Sequence, residues 1–283
     1  MEPILVTGAS GNVGREIVRL LRAQGQSVRA TVRPAQHPRR AIEPGVADVP
    51  FDFGDRATYA AALRDVRKVF LLRPPAITDI PTYIDPFIEA ARAAGVTHIV
   101  FLSLLGAEKI PFVPHRKVEA SLRASGMAYT FLRPSFFMQN LSTTHRAEIH
   151  RGRIVVPAGN GKTSFIDARD VAAVAVKALI EPGHENQAYA LTGSAALDYG
   201  QVAALFTEVL GRPVTYTRPG LARFVRWSRA RRLEWSYILV IGAIYSTARL
   251  GLAGTITGDL APLLGRPPTT MQEFIAAHAP CWL

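Results

Sequence analysis

The sequence predicts an α/β protein: a doubly wound parallel sheet with a small, mostly helical lobe toward the C-terminus. Short β-branched runs alternate with amphipathic helical stretches through the first two-thirds of the chain. The strand runs are apolar throughout, as strands covered on both faces are, and a glycine-rich turn directly follows the first of them. With 283 residues, 48% of them hydrophobic, the chain carries enough apolar material for one such domain and an appended lobe.

In order, residues 4–7 form a strand, and residues 14–23 an amphipathic helix. Residues 27–32 form the second strand, a short third strand precedes Asp52, and 68–72 (KVFLL) is another. Residues 85–94 have helical periodicity and stop at Gly95; 97–102 (THIVFL) is a strand ending at Ser103. A helix over 118–124 is stopped by Ser125-Gly126, and a strand over 129–132 runs into Arg133-Pro134. Beyond Pro134 the regularity weakens. Short strands at 154–156 and 164–166 flank a turn at 159–162. A helix follows over 170–180, with Asp170 as its expected cap and Asp167 just before it, then a strand at 189–191 and a helix over 199–210 closed by Gly211. Residues 219–283 show helical patterns and no strand alternation. The expected division is a core of residues 1–135, to which 154–192 return, and a smaller substrate lobe of 136–153 and 193–283.

Composition excludes several functions. The net charge is +11, yet the cations are scattered arginines, and only 223–232 (RFVRWSRARR) is dense. No nucleic-acid-binding pattern accompanies that run, so no nucleic-acid partner is expected. Cys281 is the one cysteine, which fits a reducing compartment. The chain enters a strand without a signal-peptide pattern, so a cytoplasmic location is expected. The apolar stretch 237–245 (YILVIGAIY) falls short of the ~20 residues a membrane helix needs, so no membrane partner is expected either. His37, His98, His145, His150, His184 and His278 show no metal-ligand spacing, so no metal is expected.

Residues 4–14 read ILVTGASGNVG. A strand feeding a glycine turn that opens a helix gathers free backbone N–H groups and the positive helix end at one spot, which is a phosphate site. In this Rossmann-type unit Gly8 permits the tight turn, Gly11 the approach of a pyrophosphate, and Gly14 close helix–strand packing, with Val13 between them. Ser10 and Asn12 add side-chain donors. The second strand ends at Val32-Arg33-Pro34, where an NAD site would offer an acid to the ribose 2′-hydroxyl; Arg33 instead suits a 2′-phosphate, which selects NADP(H). Asp52 and Phe53 are placed to flank the adenine.

TGASGNVG, RATVRP, FDFGD, VFLLRPP, SLLGA, HRKVEASLRASGMAYTFLRPSFFMQNL, GKTSFIDARDVAAVAVKAL, AYALTG and LLGRPP, in that order, resemble the NmrA-like atypical short-chain dehydrogenase/reductases from the N-terminus to about residue 217 and again over 259–278. That family includes NAD(P)H-dependent quinone, azo-dye and triphenylmethane reductases, plant isoflavone reductases, and sensors that bind the dinucleotide without turnover. The resemblance implies that Leu72, Arg73 and Pro74, with Ser103 and Leu104, line the ribose and nicotinamide side, and that Pro134 to Phe137, including Phe136, form a lip over the nicotinamide.

Most members of the wider superfamily use Tyr-x-x-x-Lys to supply a proton, and no tyrosine of this chain has a lysine four residues on. Aligned on Glu119, His115 falls where that lysine would be. The two are helix neighbours, so Glu119 is expected to orient the imidazole and raise its pKa, leaving His115 either to donate a proton or to position the cofactor; Lys117 lies on another face. Without the tyrosine, a simple ketone, whose reduction leaves an alkoxide, is disfavoured against a conjugated acceptor. Phe136, Phe137, Met138, Trp227, Trp235, Tyr237 and Tyr245 are expected to wall a pocket for a flat hydrophobic aromatic substrate. The function expected is an NADPH-dependent reductase of a quinone-like or other conjugated aromatic compound, in natural-product tailoring as a narrower form, by a monomer or homodimer. A non-catalytic NADP(H) sensor is the alternative, and an epimerase or dehydratase that retains its cofactor ranks last.

Overall fold

The computed structural model describes residues 2–33 and 43–283. In chain order the first elements are β1 (Ile4–Val6), α1 (Asn12–Ala23), β2 (Val28–Val32), β3 (Ala47–Pro50), α2 (Tyr59–Leu63), β4 (Lys68–Leu71), α3 (Ile80–Tyr83), α4 (Asp85–Ala93), β5 (His98–Leu102), α5 (Pro114–Ala124) and β6 (Ala128–Pro134). There follow β7 (Phe136–Phe137), α6 (Gln139–Ser142), α7 (Arg146–His150), β8 (Arg153–Ile154) and β9 (Thr163–Ile166), then α8 (Ala168–Ile180) and β10 (Gln187–Leu191). The chain ends with β11 (Ala196–Leu197), α9 (Tyr199–Leu210), β12 (Thr215–Tyr216), α10 (Leu221–Ala230), α11 (Trp235–Arg249), α12 (Leu260–Leu264) and α13 (Met271–His278).

The chain divides into two units, residues 1–134 with 168–191, and 135–167 with 192–283. In the first, seven strands form a parallel sheet in the order β10-β6-β5-β4-β1-β2-β3. The chain runs outward from β1 through β2 and β3 on one side and through β4, β5, β6 and β10 on the other. The order therefore reverses between β1 and β4, and ligands of such sheets bind beyond the carboxyl ends of the strands at that reversal. One sheet face buries Leu5, Val69, Leu71, Ile99, Phe101 and Phe131 against α2, α4 and α5. Helices α1 and α8 pack together, and α8 lies on β4, β5 and β6. α1 is specified locally: Val13, Ile17, Val18 and Leu21 form one buried stripe at helical spacing. α5 begins four residues before the expected 118, because Pro114 at the first position presets the helical φ and loses no needed N–H.

In the second unit β9 pairs with β7 and, antiparallel, with β11, while β8 pairs with β12. The strands flanking the 159–162 turn therefore do not pair with each other. Because their partners are Phe136–Phe137, Ala196–Leu197 and Thr215–Tyr216, residues 154–166 group with the second unit, and the return to the first begins at Ala168 rather than 154. α9 has the expected bounds, with Asp198 and Gln201 closing a capping box and Gly211 in the left-handed conformation at its end. Asp170 is not a cap: α8 starts at Ala168 and encloses Asp170 in its first turn, fully buried.

Candidate functional site

The glycine turn leaves β1 at the reversal point. Thr7 ties it to the neighbouring strand: its N–H and hydroxyl both donate to the Phe70 carbonyl (3.0 and 3.1 Å), and its hydroxyl oxygen accepts from the Leu72 N–H at 2.7 Å. Gly8 has φ +64°, which favours glycine, and a Cβ there would press on the Leu72 side chain at 3.1 Å. A Cβ on Gly14 would stand 2.3 Å from the Gly8 carbonyl oxygen, so only glycine lets α1 start this close to the turn. Gly11 caps α1 without a side-chain hydrogen bond, and Ser10, Gly11 and Asn12 are exposed, with Val13 buried behind them. The first turn of this twelve-residue helix has no side-chain cap, and exposed Ser10, Gly11 and Asn12 stand at it, a donor set that fits a pyrophosphate.

Arg33 directly follows β2 and is exposed. Pro34 and His37 lie outside the described residues. Asp52 is exposed, and its carboxylate accepts the Gly54 N–H at 2.8 Å, fixing the turn after β3. Phe53 differs from expectation. It is 6% exposed, with its ring edge-on to Phe51 and Phe87 (centroids 4.8 and 5.4 Å), so the core takes the ring intended for the adenine.

Beyond β4 and β5, Leu72 and Pro74 are half-buried. Arg73 is buried and organises the loop around it: Nη1 donates to the carbonyls of Pro74 (2.8 Å), Pro75 (3.2 Å) and Ile77 (2.5 Å), and Nη2 reaches His115 Nε2 at 3.3 Å. A guanidinium has no acceptor, so Nε2 of His115 is the acceptor and the imidazole proton sits on Nδ1. That Nδ1 atom is buried and has no partner among the described residues. Burial, and then the Arg73 charge, lower the His115 pKa from 6.5 to about 4. The expected upward shift from Glu119 is overridden, and the ring is neutral at physiological pH.

Glu119 does not orient His115, because its carboxylate is taken on the other side. It is fully buried, accepts Ser103 Oγ–H at 2.7 Å, and is held bidentately by Arg133 at 3.0 and 2.6 Å. Arg133 also reaches Glu108 at 3.1 Å, and Arg123 stands 3.6 Å from Glu119. Backbone bonds join the same strand ends, Ser103 N–H to Leu132 and Leu105 N–H to the Pro134 carbonyl (2.8 and 3.0 Å). The Ser103 hydroxyl is therefore a clasp between β5 and α5. This network was missed in the sequence; its one signal is an acidic residue beside Val118, three positions before Leu122, on the buried stripe of a helix. Lys117 is exposed.

The expected aromatic wall divides in the second unit. Met138 and Tyr245 are core residues, Tyr245 being 2% exposed and hydrogen-bonded through its hydroxyl to His145 Nε2. Phe136 is half-buried, edge-on to Phe165 at 5.7 Å and 5.8 Å from the Tyr245 ring; Phe137 is half-buried beside it in β7. Trp227 is half-buried, stacked on Phe224 with Arg231 over its other side at 4.6 Å. Trp235 is 52% exposed and Tyr237 is exposed as well. Burial lowers the His145 pKa to about 4 and raises that of Tyr245. Asp167 accepts Gln139 Nε2–H at 2.8 Å. Among the described residues no group of His, Cys, Asp and Glu side chains could hold a metal ion.

The model of the NmrA-like family matches residues 1–233. An NAD(P)H azoreductase of Xenophilus azovorans is 38% identical over 282 residues, covering 98% of each chain. Among solved structures, an NADPH-dependent quinone oxidoreductase of Escherichia coli in complex with NADPH is similar with a TM-score of 0.86 at 30% identity, covering 97% of this chain and 99% of that one. The triphenylmethane reductase of Citrobacter sp. complexed with NADP(H) is similar with a TM-score of 0.85 at 26% identity, covering 98% and 99%.

Proposed function

The chain belongs to the NmrA-like family, and on that premise we propose that it is an NADPH-dependent oxidoreductase of quinone-like or other conjugated aromatic acceptors. When bound, NADPH supplies a hydride from its nicotinamide ring. The backbone of Gly8 to Gly14 and the open first turn of α1, with Ser10 and Asn12, receive the pyrophosphate. Arg33 pairs with the 2′-phosphate, and Asp52 shapes the turn beside the adenosine. Leu72 and Pro74, at the strand reversal, line the nicotinamide side.

The observation that carries the choice of acceptor is the state of His115. Burial and the neighbouring Arg73 charge lower its pKa from 6.5 to about 4, so the ring is neutral near pH 7. Its Nε2 is held by Arg73 and its Nδ1 is buried, so His115 braces the loop after β4 and presents no acid to an acceptor. With no acid presented by His115, an acceptor that spreads the negative charge it gains, as quinones and conjugated dyes do, is favoured over a simple ketone. Tailoring of aromatic natural products is one setting for the same chemistry.

The test is the loss of NADPH absorbance with a panel of quinones, azo dyes, triphenylmethane dyes and simple ketones. Turnover with the conjugated acceptors and none with the ketones is expected. A flat trace throughout sinks the proposal and leaves the sensor reading. The rate should also show no inflection from His115 between about pH 5 and 8, because that group titrates lower.

A further inference from the structure

We propose that the α10–α11 pair of the second unit docks this protein onto an anionic lipid surface. α11 buries Ile238, Tyr245 and Ala248, and its outward half carries exposed apolar side chains on either side of Ser236, Ala243 and Thr247. Trp235, Leu239, Val240 and Ile244 are among those apolar side chains, and Leu250 and Leu252 follow past the helix end. Leu239 and Val240 are 66% and 58% exposed, and Leu250 and Leu252 are 72% and 70% exposed. So many exposed large aliphatic side chains within one short segment mark a candidate interaction face.

The charge beside it selects the occupant. Arg223, Arg226, Arg229 and Arg232 recur every third residue along α10 and just past it, and all four are exposed. None has an acidic partner among the described residues, whereas Arg231 is held by Glu148. Arg229 lies 4.9 Å from the Trp235 ring centroid, so the basic row borders the apolar side chains directly. Between residues 219 and 256 the chain has six arginines and one acid, Glu234. A second copy of this face would set arginine against arginine, and a nucleic acid would leave the aliphatic side chains in water. Anionic headgroups over an acyl layer satisfy both halves, with the tryptophan at their boundary. No helix of the described residues is long and apolar enough to cross a membrane, so the pair lies on the surface.

The experiment is sedimentation of the full chain with phosphatidylglycerol–phosphatidylcholine vesicles and with phosphatidylcholine alone. Binding to the mixed vesicles, weakening with salt, is expected. Replacing Arg223, Arg226, Arg229 and Arg232 with Gln should reduce it by about fivefold per arginine. The double variant Leu239→Ser/Val240→Ser should reduce it about tenfold or more, since those side chains enter the acyl boundary. Both variants alter exposed positions, and an unchanged melting temperature shows that they fold. Three results would overturn the proposal: no pelleting with mixed vesicles, pelleting that the Leu239/Val240 variant leaves unchanged, or a lipid-free dimer that the same variant dissociates.

Discussion

In the first unit several buried polar side chains stand at the carboxyl ends of strands, where backbone or charge holds them. Thr7 closes β1, Arg73 grips three carbonyls after β4, and Ser103, Glu119 and Arg133 clasp the ends of β5 and β6 to α5. In the second unit the buried His145 is embedded in aromatic packing instead. His145 bonds to Tyr245, and the Tyr245 and Tyr199 rings meet edge-on at 5.7 Å inside one apolar cluster. The difference bears on function. A cofactor with fixed atoms suits an edge built from backbone geometry, whereas a surrounding made of packed rings changes its shape with any ring and can suit many acceptors.

Acid should test both units hardest. His98, His115 and His145 all have pKa values lowered from 6.5 to about 4, with burial the first cause. An unfolded chain protonates these rings below 6.5, while the folded chain resists until about 4. The stability they contribute is therefore complete above 6.5 and lost as the pH falls from there toward 4. The slope is at most about 1.4 kcal/mol per pH unit for each group. Calorimetry between neutral and acidic pH should show the melting temperature falling through that window, and a flat profile would remove neutral burial as the common device of the two units.

Glu119→Ala comes next. It strips a fully buried carboxylate from Arg133 and Ser103 and leaves a nearly buried guanidinium short of its main partner. Loss of such a partner costs about 3–5 kcal/mol. Denaturant unfolding measures it, and a loss below about 1 kcal/mol would mean that the clasp is a surface-like ion pair.

The sequence made these two regions legible to different depths. α1, α9 and the parallel strands could be read because their signals are local: a buried stripe at helical spacing, a capping Asp198 with Gln201, a closing Gly211. β7, β11 and β12 have two residues each, and their existence depends on partners far along the chain, which no local pattern encodes. Glycine spacing marks the tight turn and the close start of α1 because the constraint there is on the backbone. The partners of Phe53, Ser103, Glu119 and Tyr245 are not legible locally, because burial decides them. A Phe reads alike as core or as ring platform, and a Glu reads as solvated until Arg133 is seen opposite it.

A smaller effect tests the cofactor edge alone. Arg33→Ala should raise the KM for NADPH by about 10–100-fold, since a charge-assisted hydrogen bond is worth about 1.5–3 kcal/mol. The KM for NADH should hardly change, because the 2′-hydroxyl asks nothing of a cation. Equal changes for both cofactors would show that Arg33 shapes the loop rather than reading the phosphate.

The smallest effects separate the buried from the exposed aromatics of the second unit. Tyr245→Phe keeps the ring in the cluster and removes only the hydroxyl, so the buried His145 Nε2 loses its partner. An unsatisfied buried group of that kind costs about 1–3 kcal/mol. Trp235→Ser removes a larger side chain, yet one that is half in solvent and touched chiefly by Arg229, so its cost should stay within about 0.5 kcal/mol. Side-chain size alone predicts the reverse order. If thermal unfolding placed the Trp235 variant below the Tyr245 variant, the outward half of α11 would have to be covered in solution, and the contrast between a packed interior and an open outer face would fail for this unit.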